Sequence, residues 1–337
     1  MKKKDISVIL PFYNSERNLH DAVASILNQS FNNFECILVD DGSTDESTLI
    51  AEQFARQDSR FRLIKTSHHG IVNALNTGIS EAAGEFIARM DSDDVSYPER
   101  LRKQHDFMIA NPDIGLVSSK VDFSSSGTSS EGYCYYVDWL NSIISHEDIF
   151  LNQFVESPVA HPSVMFRKQL IEKYGFYAMG DFPEDYELWL RFLSKGVRFG
   201  KIPEVLLTWN DSVDRLSRTD QRYSIENFFR CKSRYLYEWL KKNNQFHPEI
   251  SVWGAGKKSR RYSKFLQDLG VRIKSFIDVD SNKCKNPDYE VMFYKNLKGR
   301  DDIFIVPFVL NRGASIEIRE YLVELGYKDG KNFIMAA

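Results

Sequence analysis

The chain has 337 residues, with 44 Lys and Arg against 47 Asp and Glu and a formal net charge of −3. That length suggests two domains, and that balance argues against nonspecific nucleic-acid binding. No apolar run approaches the ~20 residues that span a bilayer. Cys36, Cys134, Cys231 and Cys284 are scattered without a CxxC pair, so reduced cytosolic thiols are expected rather than a disulfide framework or zinc site. Met1-Lys2-Lys3-Lys4 shows neither a signal-peptide core nor a cleavage site, and a cytoplasmic location is expected.

Ile6 to Asn14 reads as a buried strand followed by a turn. A helix is expected from about Ser15 to Gln29, with Leu19, Val23, Ile26 and Leu27 on one face. Phe34 to Val39 is a second strand, running into Asp40-Asp41-Gly42-Ser43-Thr44-Asp45. The last of these acids favours a loop and helix cap. A helix over about Ser47 to Gln57 follows, then a third strand, Phe61 to Lys65, and a helix with Leu75 and Ile79 inward. The apolar stretch Glu85 to Met90 ends in Asp91-Ser92-Asp93-Asp94, and Pro98-Glu99-Arg100-Leu101 opens another helix.

Alternating β and α elements with near-continuous apolar strands imply a parallel sheet covered on both faces. Acids placed after two of its strands converge on the carboxyl edge, where open α/β sheets bind ligands. Concentrated negative charge there is costly without a cation, and Mg²⁺ or Mn²⁺ prefers such oxygen ligands. The pattern therefore points to a metal and, through it, to a phosphorylated substrate. A solvated acidic loop or helix cap is the alternative.

Farther along, Ser124 to Ser130 is a loop by composition. The aromatic group Tyr133, Tyr135, Tyr136 and Trp139 follows, as an acceptor platform or as packing beneath that loop. His161 to Arg167 reads as a strand, and Glu184-Asp185 opens a helix containing Leu188, Trp189 and Phe192. A strand around Val205 to Trp209 leads to Asn210 and Asp211, with Arg215 and Arg218 beyond. Ser224 to Asn243 is a basic, aromatic helical connector, between domains or resting on an anionic membrane surface. A second α/β unit has strands at Ile250 to Trp253, near Asp278 and at Asp302 to Val306. Its Gly254-Ala255-Gly256 turn resembles a truncated Rossmann-like motif, but Ser259 stands where the third glycine belongs.

Four segments, SVILPFYN at 7–14, ILVDDGSTDES at 37–47, GIVNALNTGISEAAGEFIARMDSDD at 70–94 and PEDYELWLRFL at 183–193, occur together in this order. With them the first 220 or so residues resemble the family 2 glycosyltransferases, inverting enzymes of the GT-A nucleotide-diphospho-sugar transferase fold. The resemblance implies that Asp93 ligates Mn²⁺ or Mg²⁺, with Asp91 on the ribose or the metal's water shell. It implies that Pro11 and Tyr13 line the base pocket, and that Asp41 accepts a ring N–H of the base. Such an acid serves uracil, thymine and guanine alike, so a UDP-sugar is the first choice of donor, with dTDP and GDP sugars open. Asp185 would be the catalytic base, supported by Glu184. Many relatives carry Arg and then His after the strand ending at Trp209; Asn210-Asp211 stands here instead, making Asp211 a candidate substitute ligand.

The combined expectation is a glycosyltransferase domain over 1–223, a connector over 224–248 and a Rossmann-like domain over 249–337 that packs or dimerises. The acceptor would be a saccharide or lipid-linked saccharide, with peripheral contact at the inner face of the membrane. Two rival readings are an NAD-dependent oxidoreductase led by the 254–256 turn and a catalytically silent nucleotide-sugar-binding scaffold.

Overall fold

The computed structural model describes residues 4–125, 131–211, 215–285, 288–311 and 313–337. Residues 126–130 of the loop expected over Ser124 to Ser130, and the segment 212–214, lie outside the described residues. The chain forms two compact units. One comprises Met1–Ile149, Pro158–Gly180 and Glu184–Thr219; the other comprises Phe150–Ser157, Asp181–Pro183 and Asp220–Ala337.

The first unit begins with β1 (Ile6–Phe12), α1 (Leu19–Leu27), β2 (Phe34–Asp40), α2 (Ser47–Gln57), β3 (Phe61–Lys65) and α3 (Ile71–Ser80). It continues with β4 (Phe86–Arg89), β5 (Val95–Ser96), α4 (Arg100–Ala110), β6 (Ile114–Ser125), α5 (Glu131–Ser142) and the start of α6 (His146–Asn152), whose residues from Phe150 on are assigned to the second unit. β7 (Met165–Arg167), α7 (Gln169–Tyr174), α8 (Glu184–Ser194), β8 (Arg198–Asp211) and the short α9 (Leu216–Thr219) complete it. Its eight strands form one sheet in the order β3-β2-β1-β4-β7-β6-β8-β5. β1 pairs in parallel with both β2 and β4, and β2 with β3. β6 and β8 are also parallel, while β7 runs against β4 and β6, and β5 against β8. The chain thus winds outward from β1 through β2 to β3, then returns to β1's other side as β4. Loops after β1, β2 and β4 consequently open on one carboxyl edge, at a topological switch point.

Every residue of β1 is buried. Ile6, Val8 and Leu10 join Leu19, Val23 and Ile26 of α1 in one core. On the opposite face Gly78 of α3 lies so close that a Cβ there would meet Ile9 Cγ2 at 2.6 Å. Helices covering both faces explain why these strands carry uninterrupted apolar runs.

Three local expectations change. The first helix starts at Leu19 rather than Ser15, because Ser15 is held by distant partners. Its N–H donates to Ser47 Oγ at 2.7 Å and its hydroxyl meets Ser92 Oγ at 2.9 Å. His161–Ser163 form a 3₁₀ turn, with Pro162 at its start, and only Met165–Arg167 is strand. Ser124 and Ser125 extend β6, where they pair with Asn210 and Asp211. The Tyr133, Tyr135, Tyr136 and Trp139 group lies on α5.

The second unit contains α10 (Ile225–Asn243), β9 (Glu249–Trp253), α11 (Lys257–Asp268), β10 (Arg272–Asp278), β11 (Val291–Phe293), β12 (Ile305–Pro307) and α12 (Ala314–Glu324). Its sheet, β11-β10-β9-β12, is parallel throughout. Trp253, Ile277, Ile305, Leu322 and Phe333 share its core. Lys232 of α10 is buried with its Nζ 3.8 Å above the Phe229 ring. Burial pulls its ammonium down to about 7 although Glu156 supports the charge.

Gly84, between α3 and β4, donates its N–H to Ser7 Oγ at 2.9 Å. A Cβ there would lie 2.6 Å from Ser7 N and 2.7 Å from Ile6 C, both backbone atoms of β1. Gly84→Ala must therefore displace a central strand, and a loss of about 1–3 kcal/mol is expected. Urea unfolding monitored by circular dichroism checks this through a lowered midpoint at an unchanged slope.

Candidate active site

The loop after β1 presents Tyr13, which is 42% exposed, while Pro11 is buried within the strand. Asn14 takes a positive φ of 46°, a conformation that Asn tolerates better than most residues. This lets its Oδ1 accept from Thr44 N at 2.8 Å, stitching the loops after β1 and β2 together. Asp40 accepts from Ser43 N and Thr48 Oγ1, and so holds the turn. Asp45 accepts from Glu16 N and Ser47 N. Asp41 is buried and accepts the backbone N–H groups of His69 and Gly70 at 3.0 and 2.8 Å. The His68 ring stacks on Tyr13 with centroids 3.9 Å apart and planes 20° from parallel.

Beyond β4, Asp91, Asp93 and Asp94 each offer an oxygen within 4.8 Å of the others. Asp94 is fully buried; its Oδ1 accepts from Asn210 N at 2.8 Å, and its Oδ2 has no hydrogen-bond partner. Asn210 also donates its side-chain N–H to the Asp93 carbonyl at 2.7 Å, so it clasps the acidic turn from β8. Burial, then repulsion from Asp91, pushes Asp93 up to about 6. Burial together with Asp91 and Asp93 holds Asp94 well above the usual carboxylate range. Three crowded carboxyls with an orphaned buried acceptor take up either protons or a cation. The oxygen-only donor set fits a hard divalent ion.

Two buried guanidinium groups lie beneath these acids, and sequence reasoning assigned neither of them a role. Arg89, 2% exposed, donates to Asp91 Oδ1 at 2.5 Å. Burial would weaken its hold on its proton, but Asp91, Tyr177 and Glu184 reverse the balance and raise it. Arg100 donates to the Arg89 and Pro162 carbonyls at 3.1 and 2.5 Å. Burial lowers it to about 10, against the pull of Asp94. A cation inside an apolar strand directly before a run of acids was the available signal for Arg89.

Glu184 and Asp185 open α8, which has three acids in its first turn. Such acids suit the positive end of a helix. Asp185 accepts its neighbour Tyr186 N at 2.7 Å. Burial, then Glu184 and Asp91, raise Asp185 to about 7, while Arg89 lowers it. The acids after β4 and at the head of α8 therefore share one electrostatic neighbourhood. His161 Nε2 meets the Tyr177 hydroxyl at 2.8 Å. Burial and Arg89 keep His161 well below the usual imidazole range, so it is neutral in this network.

Asp211, at the end of β8, is not part of the carboxylate group: it pairs with Arg218 at 2.5 Å. Arg215 lies 4.5 Å over the Trp209 ring, and its charge reaches Asp93 and Asp94. Arg218 lies 4.7 Å over Tyr133, whose ring stacks on Phe123. In the second unit, Asp278 accepts Ala255 N at 2.9 Å, Asp280 N at 3.0 Å and Lys283 Nζ at 2.9 Å. Ser259 donates to the Phe308 carbonyl at 2.7 Å. The N–H at the centre of the 254–256 turn is thus directed to the chain's own acid.

The mixed α/β sheet, with acids at its carboxyl edge, has the fold of GT-A-type glycosyltransferases. The likeness extends to S. aureus TarS 1-349 in complex with UDP-GlcNAc, at 18% identity and a TM-score of 0.55, covering 79% of this chain and 71% of that one. A second fold match is the mannosyltransferase PcManGT of Pyrobaculum calidifontis in complex with GDP-Man and Mn²⁺, at 19% identity and a TM-score of 0.50, covering 72% and 65%. In sequence, residues 7–175 match Glycosyl transferase family 2. The O-antigen biosynthesis glycosyltransferase WbnJ of Escherichia coli is 31% identical over 244 residues, covering 70% of this chain and 89% of WbnJ. The amylovoran biosynthesis glycosyltransferase AmsE of Erwinia amylovora is 30% identical over 217 residues, covering 63% and 78%. The chain belongs to glycosyl transferase family 2 and is a glycosyltransferase.

The raised Asp185 has a consequence for stability. With a folded value near 7 against an ordinary 3.8, folding costs this group free energy once it ionises, and stability falls as pH rises from about 4 through 7. Asp185→Asn removes that charge. Its melting temperature should exceed the unsubstituted protein's at pH 8, and the gap should narrow as pH falls and close near pH 4; paired thermal scans at pH 8 and pH 4 check this.

Proposed function

We propose that this protein is a metal-dependent, inverting transferase that moves a sugar from a nucleoside-diphosphate donor to a hydroxyl acceptor. Its product would be a cell-surface polysaccharide or a lipid-linked saccharide, as the names of WbnJ and AmsE suggest. One observation carries the reading: Asp91, a member of the Asp91, Asp93 and Asp94 group, lies close enough to Asp185 to help raise it. A UDP-sugar is the first candidate donor, supported by the TarS complex, with GDP and dTDP sugars as alternatives.

In this reading Tyr13 packs against the nucleobase, Pro11 backs the pocket and Asp41 accepts the ring N–H. Asp93, with Asp91 and Asp94 beside it, holds Mn²⁺ or Mg²⁺. When bound, such an ion offsets the charge that grows on the diphosphate as it leaves. Asp91 is fixed by Arg89 and so keeps one oxygen committed, which suits it to the ribose or a metal-bound water. Asp185 takes the acceptor's proton as the acceptor oxygen bonds to the anomeric carbon and the bond to the diphosphate oxygen breaks. Attack from the face opposite the leaving group inverts the centre. A base raised to about 7 is well matched to that proton transfer near neutral pH. Glu184 keeps it raised.

The region over 249–337, preceded by the connector over 224–248, serves packing or dimerisation in this account. The internal bonding of Asp278 and Ser259 favours that role over NAD binding. Among the described residues no helix is long and apolar enough to cross a membrane. Contact with a lipid-linked acceptor would then be peripheral, through the basic face of α10.

Calorimetric titration with UDP, dTDP and GDP, each with and without Mn²⁺, tests the donor class; one of them should bind in a metal-dependent way. Asp93→Asn should remove the Mn²⁺ enhancement, and an unchanged enhancement would reject Asp93 as a ligand. Asp185→Asn should bind the nucleotide normally yet lose about 10²- to 10⁴-fold in transfer rate. In the unsubstituted enzyme that rate should fall as pH drops below about 7, where Asp185 takes up its proton.

A further inference from the structure

Asp41 and Tyr13 supply two things to a base: an aromatic face and a carboxylate lone pair. Both are already engaged by a side chain of this protein. The His68 ring lies on Tyr13, 3.9 Å between centroids and 20° from parallel. Its Nδ1 sits 2.8 Å from Asp41 Oδ2 and 3.0 Å from the Asp41 carbonyl. Nδ1 hydrogen-bonds the Asp41 carbonyl, which assigns it the proton, and that N–H lies within ion-pair distance of Oδ2, beside the carboxylate a base N–H would address.

A carboxylate offers about four acceptor positions. On Asp41, Oδ1 takes the His69 N–H at 3.0 Å and borders the Thr66 hydroxyl at 3.5 Å. Oδ2 takes the Gly70 N–H at 2.8 Å and has the His68 ring 2.8 Å beside it. The two backbone contacts belong to the chain path into α3 and remain when a ligand arrives. The His68 contact is the removable one, because its side chain is 53% exposed and has solvent to turn into. A planar heterocycle on the same ring face and beside the same carboxylate occupies the place of a nucleobase.

We infer that His68 is an internal ligand of the nucleobase pocket: its imidazole competes with the donor's base for Tyr13 and Asp41, and must swing out for the nucleotide to bind. The inference rests on Tyr13 and Asp41 forming that pocket. His68 is then an affinity-setting residue rather than a catalytic one. It lowers the affinity of every nucleoside diphosphate that must displace it by the same factor.

The test compares the unsubstituted full-length protein with His68→Ala, Tyr13→Ala and Asp41→Asn, titrating UDP, dTDP and GDP in the presence of Mn²⁺. His68→Ala should tighten binding of the preferred nucleotide by about three- to tenfold, the scale of one aromatic pair contact. Tyr13→Ala and Asp41→Asn should weaken it. Unchanged or weaker binding by His68→Ala, with Tyr13→Ala still impaired, overturns the inference and leaves the base pocket standing. If neither Tyr13→Ala nor Asp41→Asn alters affinity, the base pocket itself is wrong and the inference falls with it. The same holds if none of the three nucleotides binds either the unsubstituted protein or His68→Ala. Binding seen only with His68→Ala supports the inference in its strongest form.

Discussion

Negative charge held out of water at one edge of a sheet is the constraint around which the first unit is arranged. Three carboxyls within 4.8 Å of one another repel, and the fully buried Asp94 has little solvent to relieve it. The protein answers from below with Arg89 and Arg100, two guanidinium groups that are themselves buried and tied to backbone carbonyls. These cations neutralise part of the charge but leave Asp93 and Asp94 raised. A site left incompletely neutralised by its own side chains is one that gains from a cationic ligand.

The same field extends to the head of α8. Asp185 feels Glu184 and Asp91 as repulsion and Arg89 as attraction, so the groups proposed for metal binding and for proton transfer are not electrically independent. His161 and Tyr177 close the back of this region with a short hydrogen bond between neutral partners, adding no further charge. The arrangement lowers stability at neutral pH, since every raised carboxyl is a group the fold would rather keep protonated. In the loops after β1 and β3, His68 lies on the Tyr13 ring and beside the Asp41 carboxylate. The second unit shows the contrasting case: Asp278, also an acid at a strand end, is fully met by local N–H donors and Lys283.

Much of this was legible in the chain. The helix over Ser47–Gln57 and the strand over Phe61–Lys65 fall where periodicity placed them. Strands such as Ile6–Phe12 announce themselves because both faces are covered, so every residue is apolar or small. The long β8 was legible only at its end, since Gly200 and Pro203 interrupt the pattern that its pairing with β6 nonetheless sustains. The start of α1 was misplaced because Ser15 bonds to Ser47 and Ser92, residues 32 and 77 positions away. Local propensity contains no information about such partners.

By itself the sequence determined the alternation of elements, the family, and which acids stand at strand ends, because these depend on residue type and spacing along one short segment. Only the tertiary structure decided what each acid faces. It placed Arg89 and Arg100 under the cluster, engaged Asp211 with Arg218, clasped Asp93 and Asp94 with Asn210, and laid His68 on Tyr13. The physical reason is range: charge, burial and ring stacking act through space over a few ångströms. Residues within that distance here are drawn from strands and loops more than a hundred positions apart in the chain.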